Sequence, residues 1–147
     1  METLDPIPVH IDIDEVKAKL KRGDWDLIQI LLDRYFSLIH SKAAYGIATV
    51  TEKSNHVVGV DGALLKSRVL GHHLREGMRV FPFLVTIGNR LQHRADTSED
   101  LLEKFYLDTI GNLVLTKTRK YLKNHLKKCF RVSCLSHLSP GSLNDWP

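Results

Sequence analysis

Thr97-Ser98-Glu99-Asp100-Leu101-Leu102 opens the stretch that decides the fold, and Asn144-Asp145-Trp146-Pro147 closes it. The head offers a side-chain cap with an acid three residues on, the pattern of a helix start. Leu101, Leu102, Phe105, Ile110, Leu113, Val114, Leu122 and Leu126 then carry an apolar stripe. One long helix is predicted to run to about Lys128. Gly111 sits inside it at a cost of ~1 kcal/mol relative to alanine, a cost best tolerated if another backbone packs against it. Residues 130–135 read as a last strand and residues 139–147 as a terminal loop. Pro140-Gly141 is the expected centre of a type II turn, because proline pre-sets φ at the first position and glycine accepts a positive φ at the second. Such a turn exposes backbone N–H and C=O groups to a polar ligand, and Asp145 and Trp146 add a carboxylate and a flat face. The plainer alternative is a structural turn with a docked tryptophan.

Upstream, Ile7, Val9, Ile11 and Ile13 alternate with polar residues and Pro8, which predicts a half-buried strand beginning at an edge. A short helix over residues 14–20 follows, ending near Gly23. Asp24 is placed as the cap of the next helix, with Leu27, Ile28, Leu31, Leu32, Tyr35, Leu38 and Ile39 on its buried side. Residues 43–51 read as a strand with Tyr45, Ile47 and Thr49 on one face. Residues 52–55 read as a turn and residues 56–60 as a second strand, closed by Asp61-Gly62. Residues 63–75 are predicted helical, with Leu64, Leu65, Val69 and Leu70 inward. Residues 80–87 are the most apolar segment and read as a buried strand that Gly88-Asn89 ends. One helical turn is expected over residues 89–93. Helices and strands in this mixed order, without a regular βαβ repeat, predict an α+β fold.

At 147 residues, 43% apolar and 26% charged, the composition is that of one soluble globular domain covering residues 1–147. No apolar run reaches the ~18 residues that mark a membrane span, and the N-terminus lacks the basic start and apolar core of a signal peptide. The cytoplasm is the default location. Charge is uneven. Residues 109–144 hold seven Lys/Arg (Lys117, Arg119, Lys120, Lys123, Lys127, Lys128 and Arg131) and no acid, whereas residues 1–108 hold 14 basic and 16 acidic groups. Such a region suits an anionic partner; a solvated helix face that complements the helix dipole is the alternative. His72 and His73 are adjacent and diverge by about 100° on a helix. Cys129 and Cys134 lack the spacing of a zinc pair. The cysteines are therefore read as structural thiols and the histidines as surface imidazoles. No nucleophile elbow, carboxylate pair or phosphate loop is present, so no self-contained catalytic constellation is visible.

Ser139-Pro140-Gly141 followed by Asp145-Trp146-Pro147 resembles the Ser-Pro-Gly-Tyr-x-Asp-Trp-Pro motif of small proteins similar to the activation domain of vitamin B12-dependent methionine synthase. Phe83-Leu84-Val85-Thr86-Ile87-Gly88-Asn89 resembles their Thr-Ile/Leu-Gly strand end, and Leu107-Asp108-Thr109-Ile110-Gly111-Asn112 their Asp-Ala-Ile-Gly helix segment. The three segments lie in the same order and cover roughly residues 57–147. The resemblance implies an α+β activation-domain fold, a twisted antiparallel sheet with flanking helices. It implies S-adenosylmethionine as ligand, cobalamin on a corrinoid-binding protein or methionine synthase module as partner, and a flavodoxin-like reductant. The domain's part is to bind and orient, since the corrinoid and the sulfonium carry the chemistry.

The residues implied at the ligand are His137, Ser139, Pro140, Gly141, Ser142, Asp145 and Asn124. Three of them depart from the family pattern. His137 stands at the position of a ligand-binding Arg, Ser142 at that of a Tyr, and Asn124 at that of a Glu. Loss of the Arg removes a bidentate partner for a carboxylate. Family members usually continue past the position of Pro147, so a shortened form is expected. Three functions are open: a stand-alone module that supports or docks to a corrinoid methyltransferase, a methionine synthase component acting in trans, or a non-catalytic binding module. The last would use its basic helix for an acidic protein or for nucleic acid, with nucleic acid the weaker fit because few aromatics interleave the cations.

Overall fold

Asp12, Asp24 and Asp100 start the helices that carry most of the core, each by accepting backbone N–H groups of the first turn on its carboxylate. The computed structural model describes residues 1–139. In chain order its elements are β1 (Glu2–Leu4), α1 (Ile13–Leu20), α2 (Trp25–Tyr35) with a 3-10 turn at Phe36–Leu38, β2 (Lys42–Tyr45), β3 (Ala48–Lys53), β4 (Val57–Val60), β5 (Ala63–Lys66), α3 (Arg68–His73), β6 (Arg79–Val80), β7 (Phe83–Thr86), α4 (Arg90–Asp96) and α5 (Leu101–Phe130). The fold is α+β, with antiparallel pairing and one long C-terminal helix. Its strands divide between a three-stranded sheet, order β1-β2-β7, and a four-stranded sheet, order β5-β4-β3-β6. Among the described residues no helix is long and apolar enough to cross a membrane.

The chain forms two compact units. Among the described residues, one comprises Met1–Glu2, Tyr45–Phe83 and residues 132–139; the other comprises Thr3–Ala44 and Leu84–Arg131. The first is built on the four-stranded sheet. β3 pairs with β4, Val50 opposite Val60 and Lys53 opposite Val58, with a bulge between Val50 and Glu52. Asp61 (φ 46°) and Gly62 (φ 85°) both take positive φ, the two-residue turn that matches strand twist, and it sends the chain back as β5. Ala63–Lys66 is therefore a strand and not the start of a helix; only Arg68–His73 is helical, capped by Ser67. Leu64, read as inward, is 62% exposed. Ala48, Val50, Val58, Val60 and Leu70 form the core, with Leu65, Leu74, Val80 and Leu138 packed on it.

The second unit is helical at its centre. Ile11, Val16, Ile28, Leu31, Leu32, Leu91, Ala95, Tyr106, Leu107, Ile110 and Val114 make one cluster. Along α5 the buried positions are Tyr106, Leu107, Ile110, Val114, Thr118, Leu122 and Leu126. Apart from Leu107 they are spaced by four. Four residues overshoot a full turn by about 40°, so the stripe winds about 200° around the helix from Tyr106 to Leu126. This inclined i, i+4 row is a packing ridge. It differs from the predicted stripe, whose first members Leu101, Leu102 and Phe105 are exposed. Thr118, wholly buried, donates to the Val114 carbonyl (2.9 Å) and hydrogen bonds the buried Ser41 hydroxyl (3.1 Å). A hydroxyl is therefore part of the ridge at no loss of pairing.

Four further expectations are corrected. Residues 7–12 form no strand, although their burial alternates as read: Ile7 and Ile11 are buried, Pro8, His10 and Asp12 exposed. The alternation reports one-sided burial without a ladder, and Asp12 instead makes a capping box with Glu15. The strand over residues 43–51 is broken at Gly46-Ile47. Burial shifts parity from Ala43 and Tyr45 to Ala48 and Val50, leaving Ile47 54% exposed. The segment 80–87 is two short strands split at Phe81-Pro82, with Leu84 72% exposed, so it is not a buried strand. The Pro82 carbonyl turns to the Gly46 N–H (2.9 Å). Residues 130–135 form no strand. Phe130 ends α5, Arg131 caps it in the left-handed region with its N–H on the Lys127 carbonyl, and no described strand pairs with residues 132–135.

The expected helix start at Thr97 falls on Asp100, whose Oδ1 accepts from Leu102 and Glu103 (2.8 and 3.3 Å); Thr97 closes α4 instead. Ile110, 2% exposed, is one of the buried residues of the ridge. Ile110→Ala is expected to lower stability by about 2–5 kcal/mol, read as a lower urea midpoint at unchanged slope. Asp100→Ala is expected to lower it by only about 1 kcal/mol.

Candidate functional site

Gly111 lies on the side of α5 that faces Ile87 and Leu91 in the second unit. A Cβ built there would lie 3.4 Å from Ile87 Cδ1 and 3.5 Å from Leu91 Cδ2. The glycine thus admits two side chains, where the sequence had suggested a backbone. Across the cleft, two residues past the end of β7, Gly88 takes φ 77°, a conformation that favours glycine, and the Thr86 hydroxyl accepts the Gly88 N–H (3.0 Å). The His40 N–H donates to the Ile87 carbonyl (2.9 Å). These contacts hold the strand exit beside α5 and leave a cleft of about 330 Å³.

Ile87, Gly88, Leu91 and Gln92 form one wall of the cleft; Leu107, Asp108, Gly111, Asn112 and Leu115 form the other. On α5 these are two i, i+4 rows, Leu107-Gly111-Leu115 and Asp108-Asn112, which share a face. The Gln92 amide donates to Asp96 (3.1 Å). Among the described residues of the lining Asp108 is the only charged one, and no described residue gives it an ion pair or a side-chain hydrogen bond. A cleft of mixed polar and apolar lining with one carboxylate suits a ligand with a cationic group and an apolar or flat part.

The two segments 83–89 and 107–112 thus meet at one cleft. The other expected site residues distribute otherwise. Asn124 is exposed on α5, beyond the positions that line the cleft. His137, exposed, and Ser139, half-buried, belong to the first unit. Pro140, Gly141, Ser142 and Asp145, with the turn and the tryptophan read there, lie outside the described residues. Cys129 and Cys134 are free and exposed, which corrects their reading as structural thiols, and Cys129 Sγ is 3.5 Å from His125 Nε2.

Of the basic run on α5, Lys117 is engaged. Its ammonium contacts Glu15 (2.5 Å) and the His10 carbonyl (2.6 Å). No ion pair among the described residues involves Arg119, Lys120, Lys123, Lys127, Lys128 or Arg131. Because the buried ridge has wound round the helix by this point, Lys120, Asn124, Lys128 and Arg131 fall on the side opposite Leu122.

Sequence reasoning missed one cluster altogether. The Arg94 guanidinium stacks over the Tyr35 ring (4.9 Å to the centroid) and pairs with Glu103, whose other oxygen meets the Ser98 hydroxyl (3.2 Å). Arg94 pulls the Tyr35 hydroxyl below its usual range. These groups come from α2, α4, the α4–α5 loop and α5, and only the packing brings Tyr35 to the others.

The chain matches no protein-family model and no curated protein.

The hydrogen bond from Lys117 holds the Glu15 carboxyl below its ordinary range. A depressed carboxyl stabilises the fold above its unfolded value, and that contribution is lost as pH falls through the folded value. The window therefore runs from about pH 4.5, the ordinary glutamate value, downward. Both side chains are more than a third exposed, so the contribution is at most about 1 kcal/mol. Thermal melts of Lys117→Met are expected to show a shallower loss of stability below pH 4.5 than the parent chain, and the two are expected to differ by a constant amount at neutral pH.

Proposed function

We propose that this chain is a methionine synthase activation-domain-like module. It serves the reductive remethylation of a corrinoid held by a partner protein, or docks to a corrinoid methyltransferase, with S-adenosylmethionine as its small ligand. What carries the reading is the meeting of Ile87-Gly88 and of Leu107, Asp108, Gly111 and Asn112 at one cleft, since two of the three segments behind the resemblance then share one surface. The described lining fits the cationic and apolar parts of the ligand. Its sulfonium and ammonium are cations, for which Asp108 is the partner, and Ile87, Leu91, Leu107 and Leu115 supply apolar walls for its methyl group and base. The volume lies at the lower end of small-molecule sites, roughly 300–1,000 Å³. S-adenosylmethionine supplies a methyl group when bound. The chain's own residues hold the cation and exclude water from the apolar wall.

A second observation favours docking through α5. Lys120, Lys123, Lys127 and Lys128 lack ion pairs among the described residues, while Lys117, one turn earlier, has one. Unpaired cations of one sign raise the association rate with an acidic surface. A flavodoxin-like reductant or an acidic face of a corrinoid protein is the partner this implies. Nucleic acid is the competing occupant, and its mark is a steep linear fall of log affinity with log salt.

Isothermal titration of the chain with S-adenosylmethionine tests the first part. Binding on the order of micromolar is expected, weakened roughly tenfold by Asp108→Asn through loss of one charge-assisted hydrogen bond. No heat up to millimolar ligand would refute the ligand assignment. The docking part is tested by Lys120→Glu with Lys123→Glu. The double variant is expected to slow association with an acidic protein and to flatten its salt dependence, leaving S-adenosylmethionine binding unchanged.

A further inference from the structure

The cleft beside α5 holds one polar side chain that the proposed function does not use. Gln92 lines it on the wall opposite Asp108. Its amide Nε2 donates to Asp96 Oδ1 (3.1 Å), one turn further along α4. The Lys104 ammonium reaches the same oxygen from α5 (3.3 Å). Lys104 first, then Gln92, hold the Asp96 carboxyl below its ordinary range. At neutral pH Asp96 is therefore ionised and only accepts hydrogen bonds. A glutamine amide has an NH₂ end that donates and an oxygen that accepts, and a carboxylate pairs with the first alone. The acid thus decides which way the amide is turned.

The helix beneath is fixed as well. Leu91 and Ala95 of α4 are buried in the same cluster as Leu107 and Ile110 of α5. The backbone of Gln92 is therefore set by its buried neighbours, and the far end of its side chain by Asp96. No described residue donates to Gln92 Oε1. At the strand exit the polar backbone groups are already engaged: the Gly88 N–H donates to Thr86, and the Ile87 carbonyl accepts from His40. The described lining thus presents two acceptors to a ligand, the Asp108 carboxylate and the Gln92 amide oxygen, with Asn112 able to serve either way. A ligand carbonyl brought to the NH₂ end of Gln92 would instead meet the Asp96 carboxylate close by, and the two oxygens repel.

We infer that Gln92 is a specificity-determining residue of this cleft: its amide oxygen accepts an N–H of the ligand's base, and Asp96 and Lys104 are the residues that position it. With S-adenosylmethionine as the ligand, on which this assignment rests, the base is adenine and its exocyclic amino group is the donor. A base with a carbonyl at that place brings an acceptor to an acceptor. A site that hydrogen-bonds a ligand N–H rejects the analogue lacking it, because its own polar group is then left unpaired. The cleft therefore selects amino over oxo purines through Gln92, while Asp108 holds the cation.

The test is titration of the full chain with methylthioadenosine, methylthioinosine and S-adenosylmethionine in separate arms. The amino nucleoside is expected to bind roughly tenfold tighter than the oxo nucleoside. Gln92→Leu is expected to bring the two to equal affinity. Asp96→Asn tests the positioning. The new side chain both donates and accepts, so the Gln92 amide is no longer held one way, and the preference is expected to fall. Asp96 lies outside the lining; a purely structural loss would lower both affinities together and leave their ratio unchanged. Thermal melts check that both variants keep the fold. A parent chain with no preference between the nucleosides overturns the inference, as does a preference that Gln92→Leu or Asp96→Asn leaves intact; S-adenosylmethionine binding weakened by Asp108→Asn would then still support the activation-domain reading. Selective binding of methylthioadenosine without binding of S-adenosylmethionine supports the role of Gln92 and overturns that reading. No binding in any arm at millimolar concentration overturns both.

Discussion

A row of side chains spaced by four along α5 is the constraint on which the second unit depends. Tyr106, Ile110, Val114, Thr118, Leu122 and Leu126 follow an inclined ridge and not a straight stripe. A straight stripe would offer one flat face to one neighbour. A winding ridge lets successive turns of one helix bury against different surroundings, and it puts different solvent faces at the two ends. Near Asp108 the exposed side carries a carboxylate and small residues, whereas past Thr118 it carries cations. The same geometry thus sets the core and separates an acidic-lined cleft from a basic face.

Gly111 shows how little is needed to make a site from such a ridge. Its missing side chain costs helix stability of ~1 kcal/mol but lets Ile87 and Leu91 approach within van der Waals contact of where a Cβ would stand. Gly88 contributes differently, through the positive φ that turns the strand exit. The two glycines therefore contribute in different ways, close packing in one case and backbone conformation in the other. Gly71 gives close packing between α3 and the β3–β4 turn, where the close neighbour is a carbonyl oxygen.

Several elements were legible in the residues. Asp24 as a cap, the stripe of α2 and the length of α5 all come from local chemistry: a carboxylate that competes for first-turn N–H groups and an apolar period near 3.6. The hairpin between β3 and β4 was legible for the same kind of reason. Residues 63–66 misled because Leu64 and Leu65 suit a helix as well as a strand. The positive-φ pair Asp61-Gly62 decided in favour of the strand, since that turn returns the chain alongside β4. Residues 7–13 misled in the opposite sense, because alternating burial does not require a ladder. In residues 80–87 apolarity was taken for burial, yet Leu84 faces outward on a strand divided at Pro82.

The sequence by itself determined the Asp24 cap, the apolar stripe of α2, the α+β class and the charge asymmetry, because each of these is set by residue type and by neighbours close along the chain. Only the tertiary structure decided that Ile87 and Gly111 share a cleft and that Lys117 is paired while Lys120 is not. The physical reason is the same in each case. These contacts join residues that are distant along the chain, and which of them form depends on how far a ridge winds, where a glycine yields space and which side of a turn a helix rests upon.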